Sequence, residues 1–468
     1  MFALQSDRVA LRFGDRALTH AELAGCAGAL AQRLSGLPRV AVWATPTIET
    51  CVAVVAALLA GVPAVPLNPK VGERELAHIV ADSAPALVLA APGVELPPGL
   101  ASVPRLDVTP DGTSDAAFAD PGDEAPALIV YTSGTTGSPK GVVLPRRSIV
   151  STLDAVAEAW EWTSDDVLVH ALPLFHVHGL ILGVLGPLRR GGTLHHLGRF
   201  STAQVVEALD GDGTMMFGVP TMYHRIAEEV GSAPALAAAL GKARLLVSGS
   251  AALPVRDHER IAAATGQRVV ERYGMTETLM NTSVRADGDR RPGAVGVPLP
   301  GVEVRLVDDA GATLDEAGAI GEIQVRGPNL FTEYLNRPDA TAEAFADGWF
   351  RTGDVGTRDE DGYFRIVGRK ATDIIKSGGY KIGAGEIENT LLEHPSVKEV
   401  AVTGEPDDDL GERIVAWVVP SGPEPAAGEL ADHVARLLTP HKRPRVVRFV
   451  ESLPRNDMGK VMKRALGT

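Results

Sequence analysis

The segment Thr132, Ser133, Gly134, Thr135, Thr136, Gly137, Ser138, Pro139, Lys140, Gly141 packs three glycines, five hydroxyls and one lysine behind the apolar run Ala127–Tyr131. Glycines let a ligand approach the backbone closely, N–H groups and hydroxyls donate hydrogen bonds, and the lysine adds positive charge. That chemistry suits a polyphosphate. The same composition also describes a flexible surface turn, and the loop alone does not separate the two. It is not the Walker loop of kinases and ATPases, which needs Gly, four residues, Gly, Lys, then Ser or Thr. Here Pro139 precedes Lys140 and Gly141 follows it. Two further groups, Glu277 and Lys460, each read by themselves as solvated side chains.

These residues need a scaffold, and the hydrophobic pattern supplies one. Arg39–Ala44 reads as a strand, Ile48–Ala60 as a buried helix and Val62–Leu67 as another strand. The rhythm returns at Ala127–Tyr131, Asp166–Leu172, Met215–Val219, Ala243–Ser248 and Arg268–Tyr273, with helical segments between several of them. Apolar strands separated by helices predict parallel, doubly wound sheets, an α/β class. From about Gly293 the pattern turns to β alternation at Glu303–Val307, Gly321–Arg326 and Tyr363–Val367, which predicts a small β subdomain. Beyond Gly368–Asp373, the segments Glu386–Leu392, Glu399–Val402, Arg413–Val419 and Glu429–Leu438 form a compact α+β unit. The expected division is 1–368, a hinge at 369–373, and a small C-terminal domain at 374–468.

In this context Tyr131–Gly141 resembles the signature of the adenylate-forming superfamily, which includes acyl-CoA synthetases, firefly luciferase and nonribosomal-peptide adenylation domains. The other signatures of that family follow in its order at Pro173–Gly179, Tyr273–Thr278, Trp349–Asp354, Gly368–Glu388 and Pro454–Lys460. The resemblance implies an enzyme that joins a carboxylic acid to AMP and then transfers the acyl group to coenzyme A. Two anions must meet, so cations and donors are needed where charge spreads. By resemblance Thr132, Ser133, Gly134, Thr135, Thr136, Gly137 and Lys140 grip the triphosphate, and Thr276 and Glu277 stand near the α-phosphate. Glu277 would hold Mg²⁺, a hard ion that prefers oxygen ligands. Asp354 resembles the carboxylate that accepts both ribose hydroxyls, with Arg369 facing the ribose. Ser250, Ala251 and Ala252, with Glu271, Arg272, Tyr273, Gly274 and Met275, would flank the adenine, Tyr273 stacking on it. Lys460 looks like the lysine that bridges carboxylate and α-phosphate, and Lys463 is read as peripheral. The small domain is expected to rotate between the two half-reactions. Gly368–Asp373 carries one residue more than many relatives, so Lys370 and Ala371 are both hinge candidates. After rotation Ser377, Gly378, Gly379, Tyr380 and Lys381 would line the pantetheine tunnel. Arg189 and Arg190 are candidates for coenzyme A's 3′-phosphate, or else a solvated basic pair.

Arg272 bears on which acid is used. A fixed guanidinium beside an acyl pocket is costly unless an anion meets it, and a carboxylate fits its fork bidentately. An ion pair with Glu271 is the bland alternative. The run Glu271–Thr278, with Met280–Ser283, Gly288–Arg291 and Asp373–Lys381, closely resembles malonyl-CoA synthetases. The resemblance implies a malonate-type diacid, methylmalonate included, with Arg272, Ser250, His176, Val177 and Met280 around it. A ligase for acetate or propionate is the alternative.

Bulk properties set the remaining limits. The 468-residue chain carries 45 Lys+Arg against 59 Asp+Glu, a formal net charge of −14, which argues against a nucleic-acid coat. Cys26 and Cys51 sit in no redox or zinc spacing, so a cytoplasmic home is expected. No run is long and apolar enough for a bilayer. The implied partners are an acid, ATP with Mg²⁺, and coenzyme A, with no nucleic acid, no membrane and no obligate protein partner inferred.

Overall fold

Strand-forming runs and the helices between them assemble into four sheets. The structure is a computed structural model that describes residues 4, 6–132, 138–370, 373–456 and 459–467, with only the backbone of residue 381. One sheet has nine strands, in the order Val297–Pro298, Thr282–Ser283, Val270–Tyr273, Leu245–Ser248, Met215–Gly218, Val167–His170, Thr193–His196, Val9–Phe13, Arg16–Thr19. Its middle, from Val270–Tyr273 to Val9–Phe13, is parallel. Its rims are antiparallel. A second sheet of seven strands runs Glu333–Tyr334, Lys140–Pro145, Pro126–Thr132, Ala64–Leu67, Val40–Trp43, Leu87–Ala90, Arg105–Asp107, again with antiparallel strands at one rim. The expected doubly wound parallel sheets are therefore present, with antiparallel strands added at their rims. The rim strands are short or hairpin-linked and close exposed edges that a parallel sheet cannot close without long crossovers.

Helix Ile48–Leu59 is apolar on every side, and eleven of its residues are buried. A helix hydrophobic all round must be covered all round. Here it joins a core that draws on both large sheets, from Leu11 and Leu168 in one to Val40 and Leu128 in the other. The third sheet is antiparallel and holds Glu303–Val307, Gly321–Arg326, Phe345–Ala346, Trp349–Arg358 and Phe364–Arg369. The fourth contains only strands from Ile374 onward, packed on helices Ala384–Leu392 and Ala427–Leu437 around a separate apolar core.

One expectation about the small domain fails. Lys463 is no peripheral group: its Nζ lies 3.0 Å from Asp373 and 2.8 Å from Glu388. Burial opposes its charge, yet the two carboxylates outweigh burial and raise its pKa. Lys463 thus clasps the start of the fourth sheet to helix Ala384–Leu392. Lys463→Met leaves two carboxylates facing each other, and the small domain is expected to lose about 2–3 kcal/mol, less than a fully buried pair because each group keeps some solvent. Amide exchange in Val397–Asp407 and Gly411–Pro420 checks this; unchanged protection there refutes the clasp.

Candidate active site

Four neighbouring parallel strands, Val167–His170, Met215–Gly218, Leu245–Ser248 and Val270–Tyr273, end on one side of the nine-stranded sheet. The chain leaves them as segments 171–178, 219–221, 249–252 and 274–281, the place where open α/β sheets bind ligands. Two more sheets reach the same place. Thr132 and Lys140 are register partners at the end of the hairpin Pro126–Thr132/Lys140–Pro145. Asp354 and Arg369 are partners in the third sheet.

Side-chain contacts tie the three together. The Tyr273 hydroxyl donates to Asp354 Oδ2 at 2.6 Å, and Arg369 Nε lies 2.9 Å from Asp354 Oδ1. Burial pushes the Asp354 pKa up, while Arg369, Tyr273 and the charge of Lys460 pull it back. A carboxylate placed so can accept two vicinal hydroxyls. Glu277 is buried and accepts from the Tyr334 hydroxyl at 2.9 Å, while Lys140 Nζ sits 4.3 Å over the Tyr334 ring. Burial raises the Glu277 pKa against the pull of Lys140 and Arg369. Among the described residues no cluster of three metal-ligating side chains exists. Magnesium usually keeps waters and substrate phosphates around one or two carboxylates, so a lone Glu277 fits it.

Arg272 is the exceptional group. It is buried on the face of Val270–Tyr273 away from Glu271, since successive strand residues point oppositely. Glu271 is not its ion-pair partner. That carboxyl accepts from the backbone N–H of Gly293 at 2.8 Å and of Leu253 at 3.2 Å, and burial raises its pKa to about 7. Glu271 therefore braces the loops after neighbouring strands, with its oxygens engaged by backbone. Arg272 has no hydrogen-bond partner for Nε, and burial brings its pKa down to about 10, which leaves it charged at neutral pH. Gly249 makes room for it: a Cβ there would lie 2.2 Å from Arg272 Cζ. His178 lies close by, with Nδ1 3.4 Å from Ser250 Oγ. Burial and then Arg272 push its pKa well below the usual value, so the neutral imidazole adds no second positive charge beside the guanidinium. Ser250 itself holds φ +75°, a conformation that side chains adopt only under local constraint.

Other expected residues fall as follows. His176 tilts its ring against Phe175 at 4.5 Å, and His178 stands by Arg272. Val177 is partly buried against the core and Met280 is buried. Ala251 and Ala252 are exposed in the loop after Leu245–Ser248, and Gly274, Met275 and Thr276 are half-buried in the turn after Tyr273. Asn329 pins that turn, donating from Nδ2 to the carbonyls of Thr278 at 2.6 Å and Met280 at 3.1 Å. Ser133, Gly134, Thr135, Thr136 and Gly137, the hinge candidate Ala371, and the side chain of Lys381 lie outside the described residues and atoms. Arg189 forks onto Asp154 at 2.7 and 2.6 Å, and Arg190 lies 3.5 Å from the same carboxylate. This pair is anchored to helix Arg146–Ala159. Ser377, Gly378, Gly379 and Tyr380 form the turn of a hairpin in the small domain, with Tyr380 stacked on His441 at 4.1 Å. Lys460 is exposed on its loop, and its charge acts on Asp354 and Asp373. No sequence motif marks Tyr334 or Asn329, whereas His178 and Gly249 lie within the motif segments 173–179 and 248–252. Tyr334 and Asn329 sit many residues from what they touch, and no spacing betrays them.

Comparison with known proteins agrees with this geometry. Residues 2–335 match the AMP-binding enzyme family and residues 386–460 its C-terminal domain. The chain belongs to that family. A malonate–CoA ligase of Arabidopsis thaliana is 40% identical over 92% of this chain and 77% of its own length. A malonyl-CoA ligase solved as a ternary product complex with methylmalonyl-CoA and AMP is 67% identical, covers 97% of this chain and 100% of its own, and superposes with a TM-score of 0.77. ATP-bound MatB from Rhodopseudomonas palustris is 37% identical over 99% of this chain and 95% of its own, with a TM-score of 0.91.

Tyr273→Phe removes a donor that favours ionised Asp354, so its pKa must rise further. The acid limb of AMP binding is expected to move to higher pH, read by calorimetric titration across the acidic range. A limb that stays in place refutes the coupling.

Proposed function

We propose that this enzyme joins malonate, or methylmalonate, to coenzyme A, consuming ATP and releasing AMP and diphosphate through an acyl-adenylate. The observation that carries the reading is Arg272, a buried guanidinium with no anionic partner among the described residues, at the carboxyl ends of the same strands that present Ser250, Tyr273 and Glu277. A diacid has one carboxylate to attack the α-phosphate and a second to meet Arg272. Acetate or propionate would leave that charge desolvated and alone, at a cost of several kcal/mol. The identities to malonate–CoA ligases support the same substrate.

In this reading Lys140 and the loop it closes hold the triphosphate, and Asp354 with Arg369 fixes the ribose. Glu277 would hold Mg²⁺, which neutralises phosphate charge while the acid attacks. Thr276 lies beside it. Lys460 comes from the small domain to lie between the two reacting anions, a compact charge on a flexible stem. Ser250 and neutral His178 orient the distal carboxylate beside Arg272. Val177 and Met280 bound the space around its α-carbon, where one methyl changes affinity by about 1–3 kcal/mol.

The small domain then turns about 369–373 to bring coenzyme A to the adenylate. Lys370, with Nζ 3.0 Å from Glu322 and 3.3 Å from Asp309, marks the large-domain side of that hinge. A turn between states accounts for an inversion among the comparisons: the ATP-bound relative superposes at 0.91 with 37% identity, the product complex at 0.77 with 67%. A cytoplasmic setting is supported by two buried cysteines, both free. Among the described residues no helix is long and apolar enough to cross a membrane.

Two substitutions test the assignment. Arg272→Ala is expected to lower kcat/KM for malonate by roughly 100-fold, as removal of a desolvated charge partner does, while leaving AMP affinity intact; equal rates with malonate and propionate in the unaltered enzyme would sink the diacid reading. Lys460→Ala should nearly abolish acid-dependent ATP–diphosphate exchange yet retain transfer from preformed acyl-adenylate to coenzyme A. Parallel loss of both half-reactions refutes that role.

A further inference from the structure

Among the described residues, two contacts of the small domain with the large one lie away from the chain connection at 369–373. The first is the Lys460 loop. Gly459, at φ +75°, lies so near helix Pro220–Glu229 that a Cβ would come within 2.9 Å of Thr221 Cγ2. The second is Arg256, on helix Val255–Thr265 of the large domain. Its Nη1 donates to the backbone carbonyls of Leu392 at 3.0 Å and Val397 at 3.3 Å. Leu392 ends helix Ala384–Leu392, and Val397 begins strand Val397–Asp407, both in the small domain. Carbonyls at a helix C-terminus lack intrahelical partners and carry the negative end of the dipole, so a cation there is stabilising. Here the cap comes from the other domain.

A buried carboxylate lies near the guanidinium without hydrogen-bonding to it. Asp257 is fully buried; its Oδ1 lies 3.6 Å from Arg256 Nε and its Oδ2 2.8 Å from His224 Nδ1. His224 stands on the helix that carries Thr221, so one buried carboxylate connects Arg256 with the element that receives the Lys460 loop. Around Arg256 the domains are not packed shut. A cleft of about 390 Å³ remains, lined by His224, Glu228 and Arg260 on one side and His394 and Lys398 on the other. Polar interfaces of this kind let domains move by default. A contact made in only one arrangement shifts the population toward it by that contact's own free energy.

We propose that Arg256 is a positioning residue that fastens the small domain in the arrangement presenting Lys460 to the adenylation centre. It lets go when the domain turns for thioester formation. Its acceptors are backbone carbonyls, so it reads the position of the domain and touches neither acid nor nucleotide. The inference rests on the two-step ligase reading above.

The test uses the full-length enzyme with Arg256→Ala and Arg256→Lys, following separately malonate-dependent ATP–diphosphate exchange and coenzyme A transfer from preformed malonyl-adenylate. Exchange should fall roughly tenfold in Arg256→Ala, the loss of a charged donor's contacts with two carbonyls, with transfer equal to or faster than in the unaltered enzyme. Arg256→Lys, which keeps charge and bulk but not the fork, should fall between and decides the matter if the alanine variant does not fold. Equal loss in both half-reactions, or no change in either, overturns the proposal. Absence of exchange in the unaltered enzyme would remove the ligase reading, and this inference with it.

Discussion

A guanidinium taken out of water without a paired anion is an expensive object, and Arg272 has no such anion among the described residues. Desolvation of a lone ion costs several kcal/mol, which the rest of the fold must supply. The surroundings keep that charge available. Gly249 gives it space that any side chain would fill, and His178 is neutral under the same burial. Glu271, the nearest carboxyl in sequence, faces away toward backbone N–H groups. A carboxylate that enters recovers part of this cost, so the interaction acts as selection as well as affinity.

The other ionisable groups follow one pattern. Asp354 and Glu277 are buried carboxyls whose pKa values burial raises, and each has a tyrosine hydroxyl and nearby cations that oppose the rise. The donors come from different sheets: Tyr273 from the nine-stranded sheet reaches Asp354 in the third, and Tyr334 from the seven-stranded sheet reaches Glu277 after the nine-stranded one. The site thus doubles as the joint between layers. Charge balance and sheet assembly depend on the same contacts.

The fourth sheet stands apart in its core and in the character of its contacts with the rest. Inside the small domain, Lys463 is held by two carboxylates. Toward the large domain, the contacts at Arg256 and Gly459 are few and local. A domain that must change partners during a reaction needs strong internal bonds and weak external ones.

Much of this was legible in the chain. Strand and helix periodicity placed Ile48–Leu59, Glu303–Val307 and Gly321–Arg326 within a residue or so, because an apolar stripe must be buried whatever its neighbours are. Ordered motifs named Lys140, Arg272, Glu277, Asp354 and Lys460, since the chemistry needs those groups and their local backbone. Partnerships were not legible. That Glu271 turns from Arg272, that Tyr334 meets Glu277, that Asp154 engages Arg189 and that Lys463 is a clasp all depend on elements brought together from far along the chain. The residue types and the catalytic class come from the sequence, because they are local properties. Which charges are paired and which is left waiting was decided by the tertiary structure alone, because burial and distance exist only once the sheets have packed.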